Sequence, residues 1–311
     1  MAGDDAQDQV EGDLATIADS LEIRIDTRLE AISAQVSYLT RLVEEMHRLT
    51  GPFGVPMPGG RMLVQSTHHI KYLIDPRDLV MAPQLIVYRQ WEPELTALLH
   101  ALLTADSVFV DVGANFGYFT CLAGSRIGLT GAGRVFAIEP NPALVDLLRA
   151  NVAINWSMCP IAIVSAAAGP AAGRAMLSVP ADGAANASLS AGPTLGDVSP
   201  VEVDLQPLDA IVPAGLAVDL MKIDVEGHEM GVLLGARRLL AESPAIKVVL
   251  EWSRGQMAAA GYGGEDLLAL IAELGLGAFE APLDGRPIGW AALSPERLLA
   301  LDYGNIVLMR A

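Results

Sequence analysis

The sequence predicts an α/β fold in which mostly parallel strands form a doubly wound sheet with helices on both faces. Three observations carry this prediction. Strand-like and helix-like patterns alternate from residue 91 onward, residues 108–112 (VFVDV) are apolar enough for a strand buried on both faces, and a two-glycine turn follows that strand. Gly113 allows a sharp bend and the close approach of a ligand, and Gly117 opens a helix. The turn is therefore predicted to be a cofactor loop.

The first fifty residues are predicted to lie outside this fold. Residues 1–13 are acidic and poor in apolar side chains, as in a disordered tail. Residues 14–50 are predicted to form an amphipathic, coiled-coil-like helix, because apolar residues recur at heptad spacing with one stutter. These residues are Leu14, Ile17, Leu21, Ile25, Leu29, Ile32, Val36, Leu39, Val43 and Met46. The favoured interpretation is a homo-oligomer held through residues 14–50, and the alternative is a helix packed on its own catalytic domain.

The remaining chain is predicted to contain a short extension and one catalytic domain. Residues 51–90 are predicted to be a linker, rich in glycine and proline up to Gly60, followed by a small β extension with a hairpin over residues 62–74. Within residues 91–311, predicted helices span 93–104, 117–128, 143–154 and 264–274, with another ending at Leu240. Predicted strands span 108–112, 134–138, 161–165, 216–223, 246–250, 279–285 and 305–309. Residues 169–200, rich in small side chains, are predicted to be a mobile flap that includes a hairpin strand at Arg174–Val179, and strand alternation resumes at residues 201–205.

Two acidic residues determine which cofactor the loop is predicted to bind. Asp111 lies at the end of the first strand and Glu139 follows the next, whereas the G-x-G-x-x-G pattern of dinucleotide-binding folds is not met. A carboxylate at Asp111 can attract an ammonium group, and Glu139 can accept hydrogen bonds from ribose hydroxyls. A nucleoside joined to an amino acid satisfies both requirements. The predicted cofactor is therefore S-adenosyl-L-methionine (SAM).

Three short segments carry the most specific motifs: residues 111–118 (DVGANFGY), 137–140 (AIEP) and 221–229 (MKIDVEGHE). They resemble the signature blocks of the FkbM-type family of SAM-dependent methyltransferases, and the similarity extends from about residue 91 to the C-terminus. The resemblance implies a Rossmann-like class I methyltransferase with a seven-stranded, mostly parallel sheet whose sixth and seventh strands are antiparallel. Together with the residues above, it implies cofactor binding by Asp111, Gly113, Ala114, Asn115, Phe116, Gly117, Tyr118, Glu139, Pro140, Asn141, Ala166 and Asp224. Glu92 either faces the cofactor or simply starts a helix.

Four ionisable residues follow two neighbouring predicted strands and are the candidate catalytic residues. They are Asp224, Glu226, His228 and Glu251. An alcohol acceptor must lose a proton, and two mechanisms are open. In the slightly favoured one, His228 is a general base oriented by a carboxylate. In the other, Asp224, Glu226 and Glu251 bind a divalent cation such as Mg²⁺ that lowers the pKa of the acceptor. Lys222 is expected to face away from Asp224 and to have a structural role.

Composition limits the possible partners of this chain. With a net charge of −17 over 311 residues, no nucleic-acid partner is expected, because phosphate backbones require clustered Lys and Arg. No membrane span or signal peptide is expected, and Cys121 and Cys159 are predicted to be core residues in a reducing, cytoplasmic setting. The leading interpretation is O-methylation of a hydroxyl on a small-molecule or glycan acceptor. The alternatives are N-methylation of a protein side chain and a non-catalytic oligomeric scaffold.

Overall fold

The computed structural model describes residues 24–46, 54–156, 158–180, 189, 198–282 and 290–310. The predicted acidic tail, both ends of the predicted N-terminal helix and half of the predicted flap lie outside these ranges. The chain divides into two compact units, Met1–Gly51 and Pro52–Ala311. Among the residues that the structure describes, no helix is both long enough and apolar enough to cross a membrane.

The first unit contains one described helix, α1, which spans residues 24–46. One side of α1 carries apolar residues at alternating spacings of four and three, as the heptad pattern predicts. These are Ile25, Leu29, Ile32, Val36, Leu39, Val43 and Met46, and each is more than half exposed to solvent. Isolated helices gain most of their stability from packing such a face, and in α1 the apolar stripe is exposed to solvent.

The second unit is built on a sheet of seven strands in its described part. The strands are β4 (Val108–Val112), β5 (Arg134–Ile138), β6 (Ile161–Val164), β10 (Leu220–Ile223), β11 (Lys247–Ser253), β12 (Gly277–Glu280) and β13 (Tyr303–Met309). Their order is β12-β13-β11-β10-β4-β5-β6. Only β13 runs against the others, because it pairs antiparallel with both β11 and β12 while the central pairs are parallel. The predicted seven-stranded, mostly parallel sheet is confirmed.

Helices cover both faces of this sheet, as predicted. They are α2 (Met81–Val87), α3 (Pro93–Leu102), α4 (Tyr118–Ile127), α5 (Pro142–Ile154), α6 (Leu208–Ile211), α7 (Glu229–Leu234), α8 (Arg237–Glu242), α9 (Arg254–Ala259), α10 (Gly264–Glu273) and α11 (Pro295–Ala300). Successive residues of β4 enter different cores: Val110 packs in the core with α7, α8 and α10, whereas Phe109 packs in the core with α3 and α4. This alternation is why β4 is apolar throughout.

Some predicted boundaries differ from the structure for identifiable reasons. The single helix predicted to end at Leu240 is two helices, α7 and α8, because the Asp209 carboxylate caps a new start by accepting the N–H groups of Arg238 and Leu239. Strand β11 extends to Ser253, so Glu251 lies within the strand rather than after it. The sequence patterns also missed α2, α6, α9 and α11, which are short.

Two smaller sheets accompany the seven-stranded sheet: one is formed before β4 in the chain and the other between β6 and β10. In the first, β1 (Val55–Met57), β2 (Arg61–Gln65) and β3 (Lys71–Ile74) form an antiparallel meander. The hairpin predicted over residues 62–74 is confirmed, but β1 lies where a linker was predicted, because Gly59 and Gly60 both adopt positive φ and turn the chain back. In the second, β8 (Gly173–Pro180) pairs antiparallel with β9 (Val198–Gln206), which also pairs with β7 (Ala167–Ala168).

Candidate functional site

A single cavity lies at the carboxyl ends of β4, β5, β10 and β11. This is where a doubly wound sheet is expected to bind its ligand. Of the residues proposed from sequence, those on the cavity wall are Gly113, Ala114, Asn115, Tyr118, Glu139, Pro140, Asp224, Glu226, His228 and Glu251. The cofactor loop and the candidate catalytic residues therefore share one cavity.

The turn after β4 is fixed by close packing against the neighbouring strand end. Gly113 has φ of 77°, and a Cβ atom there would lie 1.8 Å from the carbonyl oxygen of Asp224. The N–H groups of Gly113 and Ala114 both donate to the carbonyl oxygen of Ile138, each at 3.0 Å. Gly117, at φ of 94°, precedes α4 and packs against Leu148. Glycine at position 113 is therefore required by both the bend and the contact with Asp224.

Glu139 joins this turn to the one after β5. Its carboxylate accepts hydrogen bonds from the backbone N–H of Asn115 and of Asn141, each at 2.8 Å. Burial raises the pKa of Glu139 to about 7, although both N–H groups favour the ionised form. A carboxylate can accept about four hydrogen bonds, so Glu139 can hold both turns and still accept from a ligand in the cavity.

Asp111 lies beneath the cavity rather than on its wall. It is fully buried within β4, and its Oδ2 accepts a hydrogen bond of 2.6 Å from the Thr120 hydroxyl. The sequence prediction that Asp111 contacts an ammonium group of the ligand does not match this position. The residue faces α4, and Lys222 pairs beside it in the sheet register. Burial raises the pKa of Asp111, while the charge of Lys222 opposes that rise.

Four other residues proposed to bind cofactor are also absent from the cavity wall: Phe116, Gly117, Asn141 and Ala166. Phe116 packs edge-on against Tyr72, and Asn141 caps α5 by accepting the N–H of Ala143. Ala166 is buried, and its neighbours Ala167 and Ala168 line the cavity instead.

Lys222 contradicts its sequence prediction, because it faces the same side as Asp224 and lines the cavity. Its Nζ lies 2.9 Å from Asp224 Oδ2 and 5.2 Å from the centre of the Phe119 ring. Residues two apart in a strand share a face, so the expectation of opposite faces was wrong. Burial by itself would lower the pKa of Lys222, but the carboxylates of Asp224 and Asp111 raise it above its usual value. Lys222 is therefore a buried, charged partner of two acids.

Three carboxylates converge at the strand ends. One oxygen each from Asp224, Glu226 and Glu251 lies within 4.8 Å of the others. Burial and then the charge of Asp224 raise the pKa of Glu226 to about 7 and that of Glu251 to about 8. Two neighbours fix these side chains: the Tyr303 hydroxyl donates to Glu251 Oε1 at 2.6 Å, and the Gln256 amide donates to Glu226.

His228 lines the same cavity and offers an unengaged nitrogen. Its Nε2 is buried and makes no hydrogen bond within the described part of the chain. The ring packs over Gly231, where a Cβ atom would lie 2.4 Å from Nε2. Burial lowers the pKa of His228, so the ring is neutral at pH 7 and can accept a proton. In the same described ranges, no carboxylate is hydrogen-bonded to this ring, so the predicted orienting acid is not found.

Glu92 and Tyr303 also line the cavity. For Glu92 the sequence left open whether it faces the cofactor or starts a helix, whereas Tyr303 was not proposed as a site residue. Glu92 precedes α3 in a left-handed conformation, with φ of 39° and ψ of 74°. Burial and the charge of Asp224 raise the pKa of Glu92. An acid directly before Pro93 at a helix start was the available signal for Glu92. Tyr303 begins the antiparallel strand β13, where no motif marks it.

Comparison with a family model identifies the family of this chain. A family model described as the methyltransferase FkbM domain matches residues 111–276. Hexuronic acid methyltransferase AglP of Haloferax volcanii is 26% identical over 189 residues, which cover 58% of this chain and 68% of that protein. A TehB-like SAM-dependent methyltransferase from Corynebacterium glutamicum is similar with a TM-score of 0.40 and 13% identity, over 74% of this chain and 94% of that one. TYW2 of P. horikoshii is similar with a TM-score of 0.42 and 12% identity, over 81% and 72% of the two chains.

Proposed function

Because this chain belongs to the FkbM methyltransferase family, we propose that it transfers a methyl group from SAM to a hydroxyl oxygen of a sugar, glycan or related natural product. The observation that carries the proposal is the single cavity in which the Gly113 turn, Glu139 and the acids after β10 and in β11 meet. A methyl donor and an acceptor must be bound side by side for in-line displacement, and one shared cavity satisfies that requirement.

The donor set of the cavity fits SAM. We propose that Glu139 accepts hydrogen bonds from the ribose hydroxyls and that the Gly113 turn contacts the ligand closely. Asp224 and Glu92 both line the cavity, and among the described lining residues Lys222 is the cation that balances their charge. An excess of carboxylates favours a positively charged ligand. When bound, SAM supplies an activated methyl group on a sulfonium sulfur.

The proposed general base is His228. His228 lines the cavity, its Nε2 makes no hydrogen bond within the described part of the chain, and its lowered pKa keeps the ring neutral at pH 7. In this role Nε2 accepts the proton that leaves the acceptor hydroxyl as the new carbon–oxygen bond forms.

A divalent cation is the second way to activate the acceptor, and the residues fit it only in part. Asp224, Glu226 and Glu251 offer three oxygen ligands close together, which suits Mg²⁺. However, Asp224 is already paired with the Lys222 ammonium group at 2.9 Å, and that charge would repel a metal ion. We therefore assign proton removal to His228 and treat metal dependence as the alternative.

The choice of a carbohydrate acceptor is supported by the similarity to a protein named as a hexuronic acid methyltransferase. The acids around the cavity favour a neutral hydroxyl over an anionic carboxylate as the reacting group, because like charges repel. The same acids would attract a protonated amine, so methylation of a protein side-chain amine is the second candidate function.

The test is a methyl-transfer assay with radiolabelled SAM, in which hydroxyl-bearing glycosides and lysine-rich peptides are compared as acceptors. Transfer to the glycosides, lost in His228→Gln but not in His69→Gln, is the expected result. His69 is exposed and lies outside the cavity wall. Transfer to peptides alone would replace the proposal with the second candidate, and transfer to neither, with no binding of SAM, would overturn both.

A further inference from the structure

A groove adjoins the cavity on the side of the C-terminal strands. Its walls come from α3, from the end of β12, from α11 and from the start of β13. The apolar side chains along it include Ala281, Pro282, Leu293 and Leu301, which are only partly buried in the described structure. An apolar concave surface of this kind gains free energy when an apolar ligand displaces water from it.

Two residues connect the groove to the cavity. Tyr303 lines both, and its hydroxyl donates to Glu251 Oε1 inside the cavity at 2.6 Å. Asn305 lines the groove and is hydrogen-bonded to Glu92, which lines the cavity. The groove is therefore separated from the candidate catalytic acids by the length of one tyrosine side chain.

The cavity and the groove differ in chemistry. Carboxylates dominate the catalytic end of the cavity, whereas Ala281, Pro282, Leu293 and Leu301 give the groove an apolar wall. The charged Arg297 and Glu280 are paired with each other and stay more than two fifths exposed. A ligand that spans both would have a polar, hydroxyl-bearing end and an apolar end.

We propose that this groove is an acceptor subsite, which binds an apolar group attached to the sugar whose hydroxyl is methylated. The inference rests on the proposed function, because it takes the reacting hydroxyl to lie beside Glu251. The substrate class is then a glycoside with an alkyl or aryl aglycone, and the apolar chain passes along the Tyr303 ring into the groove. A free sugar would leave the groove empty and bind more weakly.

The experiment compares octyl β-D-glucoside, below its critical micelle concentration, with methyl β-D-glucoside. Binding of each to the full chain is measured by calorimetry in the presence of saturating S-adenosylhomocysteine. The octyl glycoside is expected to bind at least tenfold more tightly, because its chain buries apolar area in the groove. Ala281→Trp, which fills the groove, is expected to remove at least that tenfold advantage. Ala300→Trp is the matched control, because Ala300 lies on α11 outside the groove wall and is exposed.

Each result of these binding measurements either supports or overturns the proposed acceptor subsite. Equal binding of the two glycosides, no binding of the octyl glycoside, or an octyl affinity unchanged by Ala281→Trp would overturn it. Leu301→Gln, which keeps the volume but makes the wall polar, is the second variant should Ala281→Trp fail to fold, and an octyl affinity reduced at least threefold is expected. The S-adenosylhomocysteine titration separates the two proposals: its failure in the wild type overturns the proposed function, whereas its success without preference for the octyl glycoside overturns only the subsite.

Discussion

Glu139 links the turns after β4 and β5, and its burial makes the stability of the protein depend on pH. Its pKa is raised from 4.5 to about 7 in the folded protein. A folded carboxyl that holds its proton more tightly than the unfolded one makes the protein lose stability as pH rises from 4.5 to about 7. At pH 8 the Glu139 carboxylate is ionised despite its burial, and the loss of folding stability that this causes is largest.

The stability of wild type relative to Glu139→Gln is therefore expected to fall as pH rises. Between pH 5 and pH 8 the difference in unfolding free energy should change by about 2 kcal/mol, because one pKa unit corresponds to about 1.4 kcal/mol. Urea unfolding of both proteins at the two pH values measures this change. The hydrogen bonds that the variant lacks are missing at both pH values, so their contribution largely cancels from it. A difference that does not vary with pH would show that Glu139 has an ordinary pKa.

His228 is the residue on which the proposed proton transfer depends. His228→Gln is expected to lower kcat by about 100-fold or more, since general bases contribute roughly that much. The affinity for SAM should stay within about twofold, because the lost group acts on the acceptor. Steady-state kinetics and calorimetry measure the two effects, and unimpaired kcat in His228→Gln would exclude the general base.

Treatment with a chelator distinguishes the general-base mechanism from the metal-dependent mechanism. With His228 as the base, exhaustive treatment with EDTA is expected to leave kcat unchanged within about twofold. The paired Lys222 ammonium, 2.9 Å from Asp224, is the physical reason to expect no tightly bound cation. Loss of activity that Mg²⁺ restores would instead assign Asp224, Glu226 and Glu251 as metal ligands.

Elements with a strong local signal were predictable, and contacts between distant segments were not. The strand over residues 108–112 and the turn at Gly113 follow from apolar patterning and from glycine, which are local properties. Glu92 and Tyr303 line the same cavity although they lie more than 200 residues apart, and neither segment has a sequence pattern that predicts contact with the other. Strand β3 shows the same limit, because it is held by the side-chain amides of Asn151, on α5, and of Asn155, which follows that helix.

Helix α1 is the candidate oligomerisation element of the chain. We propose that its apolar stripe joins copies of the chain, since the stripe is exposed within its own unit. Ile32→Glu with Leu39→Glu is expected to convert an oligomer into a monomer, because two charges would be buried in each seam. Ala34→Glu with Ser37→Glu adds the same charge outside the stripe and is expected to leave the oligomer intact. Sedimentation equilibrium measures both, and a monomeric wild type would refute the proposal.

At the scale of the whole molecule, the fold brings acids from the ends of β5 and β10 and from β11 to one cavity: Glu139, Asp224, Glu226 and Glu251. Residues 111–276, matched by the family model, contain the Gly113 turn, Glu139 and the cluster around Asp224. The C-terminal strand β13 lies beyond that match and adds Tyr303 to both the cavity and the adjoining groove. The sequence motifs could identify the Gly113 turn and the acids around Asp224, whereas the contribution of Tyr303 depends on where β13 pairs in the sheet.

Calorimetric titration of S-adenosylhomocysteine into the full chain tests the central claim most directly. The wild type is expected to bind one equivalent. Glu139→Ala is expected to bind at least tenfold more weakly, because hydrogen bonds to a charged group are worth about 1.5–3 kcal/mol. Glu265→Ala, which removes an exposed acid outside the cavity wall, should bind like wild type. Absence of binding to the wild type, or equal affinity in Glu139→Ala, would contradict the assignment of this cavity to SAM.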